Sequence, residues 1–199
     1  SYYQIPWRGS WAGEQGGVIL GHAIHIHDLL QTLLGPVDRV FADLATRVND
    51  VETEDCAALS IRMQSGALIT SSVTLGCAEN MSRMRLMFEG FTVESDHAPY
   101  TLTQKDWRFV ARAPTQQAEI DQVLAGVEPV LSGFAGMFEA IASTLKGENA
   151  LTVTLEDGRQ SLEFVTAVYD SARTGAPVSL PLGPENGLYD GWLPASATP

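Results

Sequence analysis

Three of the four histidines of this 199-residue chain, together with a carboxylate, fall within seven consecutive positions. The histidines are His22, His25 and His27, and the carboxylate is Asp28. At about 100° per residue in an α-helix, His22, His25 and Asp28 lie along one side, whereas His27 points elsewhere. Imidazole titrates nearest to neutral pH, so a histidine that faces a cleft can act as an acid, a base or a donor to a substrate hydroxyl.

Three interpretations of this cluster are open. His22 and His25 could be metal ligands, but zinc helices usually place two ligands at i and i+4 and take a third from another element. The histidines could instead be structural, bonded to the backbone or to Asp28. In the third interpretation one histidine faces a substrate, and His25 is then our candidate catalytic residue. We predict no metal site.

The element that must position these side chains is a predicted helix over residues 17–34. Its apolar residues recur at helical spacing, and Gly35 followed by Pro36 is a strong stop signal. The pair Gly16 and Gly17 stands at its start. Because neither residue has a side chain, we expect room for a ligand over the first turns of the helix.

Residues 37–112 change to a period of two, which is typical of strands. Six or seven short strands are predicted, with a hairpin at Ser65-Gly66 and two shorter candidates at Tyr100–Thr103 and Trp107–Ala111. The short connections favour antiparallel pairs. One face of this sheet is predicted to be apolar and the other polar or mixed. We therefore expect other elements to pack on one face and leave the other partly open.

Two more helices are predicted after a segment, 113–129, that is partly helical or loop. Ser132 can cap the first, which carries an apolar stripe from Phe134 to Leu145, and Thr154 with Asp157 resembles a capping box that opens the second. The order of the elements predicts an α+β fold: an open, mostly antiparallel mixed sheet of six to seven strands with helices on one face.

A homo-oligomer formed through the sheet is a further prediction. Phe41, Leu44 and Leu68 lie on mixed parities of their strands, so the sheet looks too apolar on both sides to leave one side bare. A large exposed apolar patch usually marks an interface.

Composition excludes several classes of protein. The chain has 12 Lys and Arg against 24 Asp and Glu, a net charge of −12, which disfavours binding to nucleic acid. No run approaches the roughly 18–20 apolar residues of a membrane helix, so we expect no membrane partner. The motifs GxGxxG, GxxxxGK[ST] and GxSxG are missing.

Cys56 and Cys77 are interpreted as reduced thiols, with a disulfide as the alternative. The first residues do not form a signal peptide, and we expect a cytoplasmic protein whose chain begins inside a longer gene product.

Eight short motifs, in the same order, resemble the C-terminal domain of the Gfo/Idh/MocA oxidoreductases, a family that includes glucose–fructose oxidoreductase and inositol dehydrogenase. The resemblance runs from about residue 2 to residue 182. The motifs are Trp7-Arg8-Gly9 with Trp11, Glu14 to Leu29 with its glycine pair and histidines, Leu34 to Val37, Glu54-Asp55 with Ala57, Ser65 to Ala67, Thr152 to Gly158, Ser171 to Gly175, and Val178 to Pro181.

The resemblance implies a partner domain of Rossmann type that binds NAD or NADP and carries a catalytic lysine. Neither is in this chain, so no cofactor is expected to bind to this chain alone. Residues 1–182 are then the substrate-binding and oligomerisation domain, and 183–199 the C-terminal tail. His25 matches the histidine of the family motif, whereas the usual aspartate position holds Gly21, next to His22.

The implied function is that of the substrate-binding domain of an NAD(P)-dependent oxidoreductase acting on a sugar, a cyclitol or a related polyol. The chain alone is expected to be inactive. His25 is the expected catalytic residue, and the expected substrate-binding residues are His22, Arg8, Trp7 and Trp11. Arg8 and the tryptophans could equally serve packing and loop anchoring.

Two other functions stay open. The chain could be a stand-alone dimeric scaffold or sugar-binding module without catalysis, or part of a redox-neutral enzyme that uses a bound nicotinamide transiently. A smaller question concerns Glu54 and Asp55. They are interpreted either as a solvated acidic start of a strand or as residues that order a loop.

Overall fold

The computed structural model describes residues 2–99, 102, 107–128 and 130–194. These residues form two compact units. One unit comprises residues 1–77 and 153–199, and the other comprises residues 78–152.

The first unit begins with the helical segment that carries the histidines. A 3₁₀ turn, Tyr2–Gln4, and a short helix α1, Trp11–Glu14, precede it. The helix predicted over 17–34 is confirmed, but its first turn, Ile19–Ala23, has π-helical hydrogen bonding and only Ile24–Leu34 is the regular helix α2. It ends where predicted, because Gly35 takes φ +83°, a conformation that other residues rarely adopt.

A four-stranded antiparallel sheet forms the centre of the first unit. Its strands are β1 (Val37–Ala45), β2 (Cys56–Met63), β3 (Leu68–Thr74) and, after the second unit, β7 (Val178–Ser179), in the order β3-β2-β1-β7. Helix α5, Leu155–Thr174, packs against β1 and starts with the predicted capping box between Thr154 and Asp157.

The core lies between this sheet and α5. Alternate residues of β2 are buried from Ala57 to Met63, and Phe164, Val165 and Val168 of α5 are almost fully buried with them. This arrangement follows from the alternation of β2 and the helical spacing of α5, which each leave one apolar face. Leu188 and Trp192 of the C-terminal tail also pack against this core.

The other face of the sheet is less apolar than the sequence suggested. It carries Ala58, Ser60 and Arg62 of β2, all exposed, together with Phe41 and an exposed Leu68. Leu44 was expected to help make both faces of the sheet apolar. It pairs with buried Ala57 and packs against the core instead. The premise of a sheet that is apolar on both sides is therefore wrong, because small and polar residues alternate with the core positions.

The second unit contains a three-stranded antiparallel sheet and two helices. The strands are β4 (Arg85–Met87), β5 (Phe91–Glu94) and β6 (Arg108–Ala111), in that order, followed by α3 (Pro114–Ala125) and α4 (Gly133–Leu145). The predicted strand at Tyr100–Thr103 falls outside the described residues except for Leu102. The apolar stripe of α4 is exposed, with Phe134 77% and Leu145 83% accessible.

The α+β class and the antiparallel pairing are thus confirmed. The seven strands of the described residues form two sheets, one of four strands and one of three. Cys56 and Cys77 are free thiols. None of the described helices has the length and apolar character needed to cross a membrane.

Candidate functional site

The start of the histidine helix is bound by a buried carboxylate from the loop before β2. The Glu54 carboxylate accepts the Gly17 N–H at 3.0 and 3.1 Å from its two oxygens, and the Ile19 N–H at 3.1 Å. The Val18 N–H donates to the Glu54 carbonyl at 2.8 Å. Three successive N–H groups of a helix start, which have no partner within the helix, are therefore satisfied by one residue.

Helix α5 supplies the remaining partner of this carboxylate. The Tyr169 hydroxyl donates to Glu54 Oε1 at 2.9 Å and lies 3.2 Å from the Gly17 nitrogen. A Cβ on Gly17 would lie 1.9 Å from the Glu54 carbonyl oxygen, and one on Gly16 would lie 2.5 Å from the Tyr169 hydroxyl. The glycine pair therefore permits close packing. Our expectation of room for a ligand at this helix start is wrong, because Glu54 and Tyr169 fill the space.

Burial and hydrogen bonding have opposite effects on Glu54. The residue is 5% exposed, and burial raises the pKa of its carboxyl above the ordinary glutamate value, although the hydrogen bonds from Ile19, Tyr169 and Gly17 lower it. Burial likewise raises the pKa of Tyr169, and the neighbouring Glu54 charge adds to that rise.

Asp55 has a different role from Glu54 although the two are adjacent. Its carboxylate is fully buried and accepts the N–H groups of Arg47, Val48 and Asn49 at 2.7–3.0 Å. Burial acts to raise the pKa of Asp55, but these hydrogen bonds outweigh it and hold the pKa well below the usual range. Of the two interpretations of Glu54-Asp55, loop ordering is therefore correct, and a solvated strand start is wrong.

His22 lies in an aromatic and charged cluster. It is half-buried, and its ring centroid is 4.8 Å from that of Tyr2. Burial lowers the pKa of His22, and the positive charge of Arg8 lowers it further. The histidine is therefore held towards its neutral form, in which one ring nitrogen can accept a hydrogen bond.

Arg8 is the charged member of this cluster. Its guanidinium lies 3.8 Å from the Tyr2 ring centroid and 4.4 Å from that of Trp7, and it donates to Glu14 Oε1 at 2.9 Å and to the Tyr2 hydroxyl. The charge of Arg8 is thus compensated within the cluster by Glu14. These contacts fit the packing and loop-anchoring role that the sequence left open for Arg8, and its substrate-binding role stays a prediction.

His25 and His27 have opposite environments. His25 is exposed, as expected of a group that could meet a substrate. His27 is 2% exposed, packs edge-on against Phe164 at 5.0 Å and lies 3.3 Å from the Ser71 hydroxyl through Nε2. Burial lowers the pKa of His27 to about 4, so the ring is neutral at physiological pH. His27 is therefore a core residue.

Asp28 connects the histidine helix to α5, since its Oδ1 accepts the Ser161 hydroxyl at 2.9 Å. The tryptophans expected at the site separate: Trp7 is 49% exposed beside Arg8, whereas Trp11 packs against Tyr169 at 5.8 Å between ring centroids. The structure therefore brings Trp7, Arg8 and His22 together around Tyr2 and leaves Trp11 outside that group.

Four residues that build this region were not predicted from the sequence as site residues, namely Tyr2, Glu14, Glu54 and Tyr169. The glycine pair before the helix was the available signal for Glu54 and Tyr169, because it marks a close approach. Within the part of the chain that the structure describes, no three His, Cys, Asp or Glu side chains converge to hold a metal ion.

Residues 1–180 match the family model described as the C-terminal alpha/beta domain of an oxidoreductase family, that of the Gfo/Idh/MocA proteins. The chain belongs to this family. No curated protein sequence matches the chain significantly.

Solved structures share the fold. The WlbA dehydrogenase from Chromobacterium violaceum, in complex with NADH and UDP-GlcNAcA, is 28% identical with a TM-score of 0.70, over 92% of this chain and 51% of that one. The WlbA dehydrogenase from Bordetella pertussis, with the same ligands, is 26% identical with a TM-score of 0.69, over 92% and 50%. An aldose–aldose oxidoreductase from Caulobacter crescentus, complexed with glycerol, is 22% identical with a TM-score of 0.68, over 88% and 51%. The chain spans about half the length of these proteins.

Proposed function

We propose that this chain is the substrate-binding domain of an NAD(P)-dependent oxidoreductase that acts on a sugar, a cyclitol or a related polyol. The observation that carries the proposal is the exposed His25, on the same helix as half-buried His22 and buried His27, in a chain that matches the oxidoreductase family over residues 1–180. The two WlbA dehydrogenases, which hold NADH and a nucleotide sugar, support this substrate class.

The glycine pair at the start of the histidine helix does not offer a site for the pyrophosphate of a dinucleotide. A pyrophosphate binds to free N–H groups at a glycine-rich helix start, and the N–H groups of Gly17, Val18 and Ile19 are already bound to Glu54. We therefore assign the cofactor to a nucleotide-binding domain of the full-length enzyme, where NAD or NADP would supply the hydride acceptor. The chain alone is inactive in this proposal.

The role left to this chain is proton transfer and substrate binding. Oxidation of a carbinol removes a hydride from carbon and a proton from the hydroxyl. The His25 imidazole handles this proton together with the lysine expected in the nucleotide-binding domain. His22 and Trp7 contact the substrate in this proposal, with Arg8 beside them. Trp11, also an expected substrate-binding residue, packs against Tyr169.

We also propose domain bounds, an oligomer interface and a cellular location for the protein, as the family membership favours. Residues 1–182 form the substrate-binding and oligomerisation domain, 183–199 the C-terminal tail, and copies of the protein associate through the four-stranded sheet in the cytoplasm. The proposed contact surface is the exposed face of this sheet, which carries Phe41 and Leu68 among small and polar residues.

The test is an activity survey with the full-length enzyme. Sugars, uronates and cyclitols are supplied with NAD and with NADP, and reduced nicotinamide is measured by absorbance. Turnover with at least one polyol class is expected. A full-length enzyme that reduces neither cofactor with any carbinol, although it binds both, would contradict the proposal and favour the redox-neutral alternative.

A second candidate function, sugar binding without catalysis, is favoured by one observation. A cavity of about 260 Å³ lies next to Trp11 and is also lined by Glu52, Tyr169 and Arg173. An aromatic face with polar groups beside it suits a small polyol. Saturation-transfer NMR with monosaccharides distinguishes the candidates, since Trp11→Ala would then abolish binding and His25→Ala would not.

A further inference from the structure

We propose that Glu54 is the positioning residue of the candidate site, because its buried carboxylate fixes the first turn of the helix that carries His22 and His25. This inference rests on the proposed function only where it concerns turnover. The positioning itself follows from contacts within the first unit.

The first step is that the helix has no cap of its own. Val18 at its start makes no side-chain capping hydrogen bond, so the exposed N–H groups of the first turn depend on a residue from another element. Glu54, from the loop before β2, takes three of them in succession. The positive end of the helix dipole favours a carboxylate at this position.

The second step is that this turn is irregular. Ile19–Ala23 is π-helical, a rare geometry that occurs mostly as single turns and frequently at functional sites. One residue more or less in a turn rotates the flanking side chains by about 100° relative to each other. His22 lies inside this turn and His25 is the second residue after it, so their relative directions depend on the turn remaining π-helical.

The third step is that the helix is held on α5 at two points. Glu54 joins its first turn to Tyr169, and Asp28 joins its second half to Ser161, about two helical turns away on α5. Residues between the two points, including His25, are thereby fixed in rotation. Loss of the Glu54 carboxylate leaves the Asp28 contact in place and frees only the irregular turn.

The experiment compares Glu54→Gln with the unchanged chain by NMR. Gln has the same shape and one acceptor oxygen, but its amide nitrogen cannot accept the second contact from Gly17. We expect the amide signals of Gly17 and Ile19 to move, and the ring signals of His22 and His25 to move with them.

The matched control is Ser171→Ala. Ser171 is fully buried on α5, accepts the Ala42 N–H at 3.0 Å and donates to the Ala176 carbonyl at 2.7 Å. Its loss also lowers stability but should leave the histidine ring signals in place. Unchanged ring signals of His22 and His25 in Glu54→Gln would overturn the proposal, as would equal movement in Ser171→Ala.

A second variant covers a Glu54→Gln chain that does not fold. Tyr169→Phe removes one hydroxyl partner of the carboxylate and leaves the other contacts. We expect the same histidine signals to move in the same direction, by less. Ring signals that do not move in Tyr169→Phe would then overturn the proposal.

Turnover separates this inference from the proposed function. In the full-length enzyme Glu54→Gln should lower kcat on the order of 10²-fold, and adding His25→Ala should lower kcat no further. A normal kcat for His25→Ala would sink the proposed function, while the NMR signals would still decide whether Glu54 positions the histidines. If the double variant instead lowers kcat by the product of the two separate effects, Glu54 does not act through His25.

Discussion

Acid should destabilise the first unit through His27, and the structure sets the size of the effect. The ordinary histidine pKa of 6.5 describes the unfolded chain, and burial lowers the pKa of His27 to about 4 in the folded protein. The unfolded chain therefore binds the proton first as the pH falls. The stability that neutral His27 provides is complete above pH 6.5 and is lost as the pH falls towards 4.

The magnitude follows from the difference between these two pKa values. At about 1.4 kcal/mol for each pKa unit, the full loss is about 3 kcal/mol, and about 2.5 kcal/mol of it has occurred by about pH 4.5. His27 is 2% exposed, so solvent screening reduces this figure little. Glu54 has the opposite sign, since its raised pKa makes the folded chain bind a proton more readily than the unfolded chain.

The assay is urea unfolding, followed by tryptophan fluorescence, at several pH values between about 7 and 4.5. His27→Gln removes the titrating ring, so its free energy of unfolding should already be lower at pH 7. Between pH 7 and pH 4.5 it should then fall by about 2.5 kcal/mol less than that of the unchanged chain. Ser171→Ala, which removes no titrating group, should start lower and keep the full dependence. Equal losses of free energy in His27→Gln and the unchanged chain would refute the reasoning.

The other predictions concern Asp55, α4, the cofactor and the sheet. Asp55→Ala should lower the free energy of unfolding by at least about 3 kcal/mol in thermal or urea unfolding, because three loop N–H groups lose their charged, buried acceptor. A loss below about 1 kcal/mol would count against this role. Phe138→Ser on exposed α4 should cost less than about 0.5 kcal/mol, whereas Phe164→Ala in the core should cost about 3–5 kcal/mol, and similar costs would show that α4 is covered. Calorimetry of the chain alone with NAD and with NADP should be flat in the micromolar range, and sub-micromolar binding would contradict the filled helix start. Light scattering should detect a homodimer at high micromolar concentration, and a monomer throughout that range would contradict association through the sheet.

Local patterns predicted the elements well. The stop at Gly35, the alternation of β2 and the capping box at Thr154 each depend on residues close together in sequence, and all three are present. The division into two sheets was not predictable in this way, because the alternation of a strand does not specify its neighbour. The stripe of α4 likewise indicated a helix and said nothing about what covers it.

The site depended on long-range partners that spacing does not reveal. Gly17 is 37 residues from Glu54 and 152 from Tyr169, so the glycine pair could be interpreted equally as space for a ligand or as close packing. Acidic residues are mostly exposed, which favoured a solvated Glu54-Asp55. In this chain backbone N–H groups replace water around both carboxylates. Arg8 and Glu14, six residues apart, had no helical spacing to suggest their ion pair.

Steady-state kinetics of His25→Ala in the full-length enzyme test the central proposal most directly. If His25 handles the hydroxyl proton, kcat on the true substrate should fall by about 10²-fold or more, while the affinity for the nicotinamide cofactor stays nearly unchanged. His27→Ala, measured at a temperature where it remains folded, should lose stability and keep its turnover. A kcat for His25→Ala within about threefold of the unchanged enzyme would contradict the account and make His25 a structural residue.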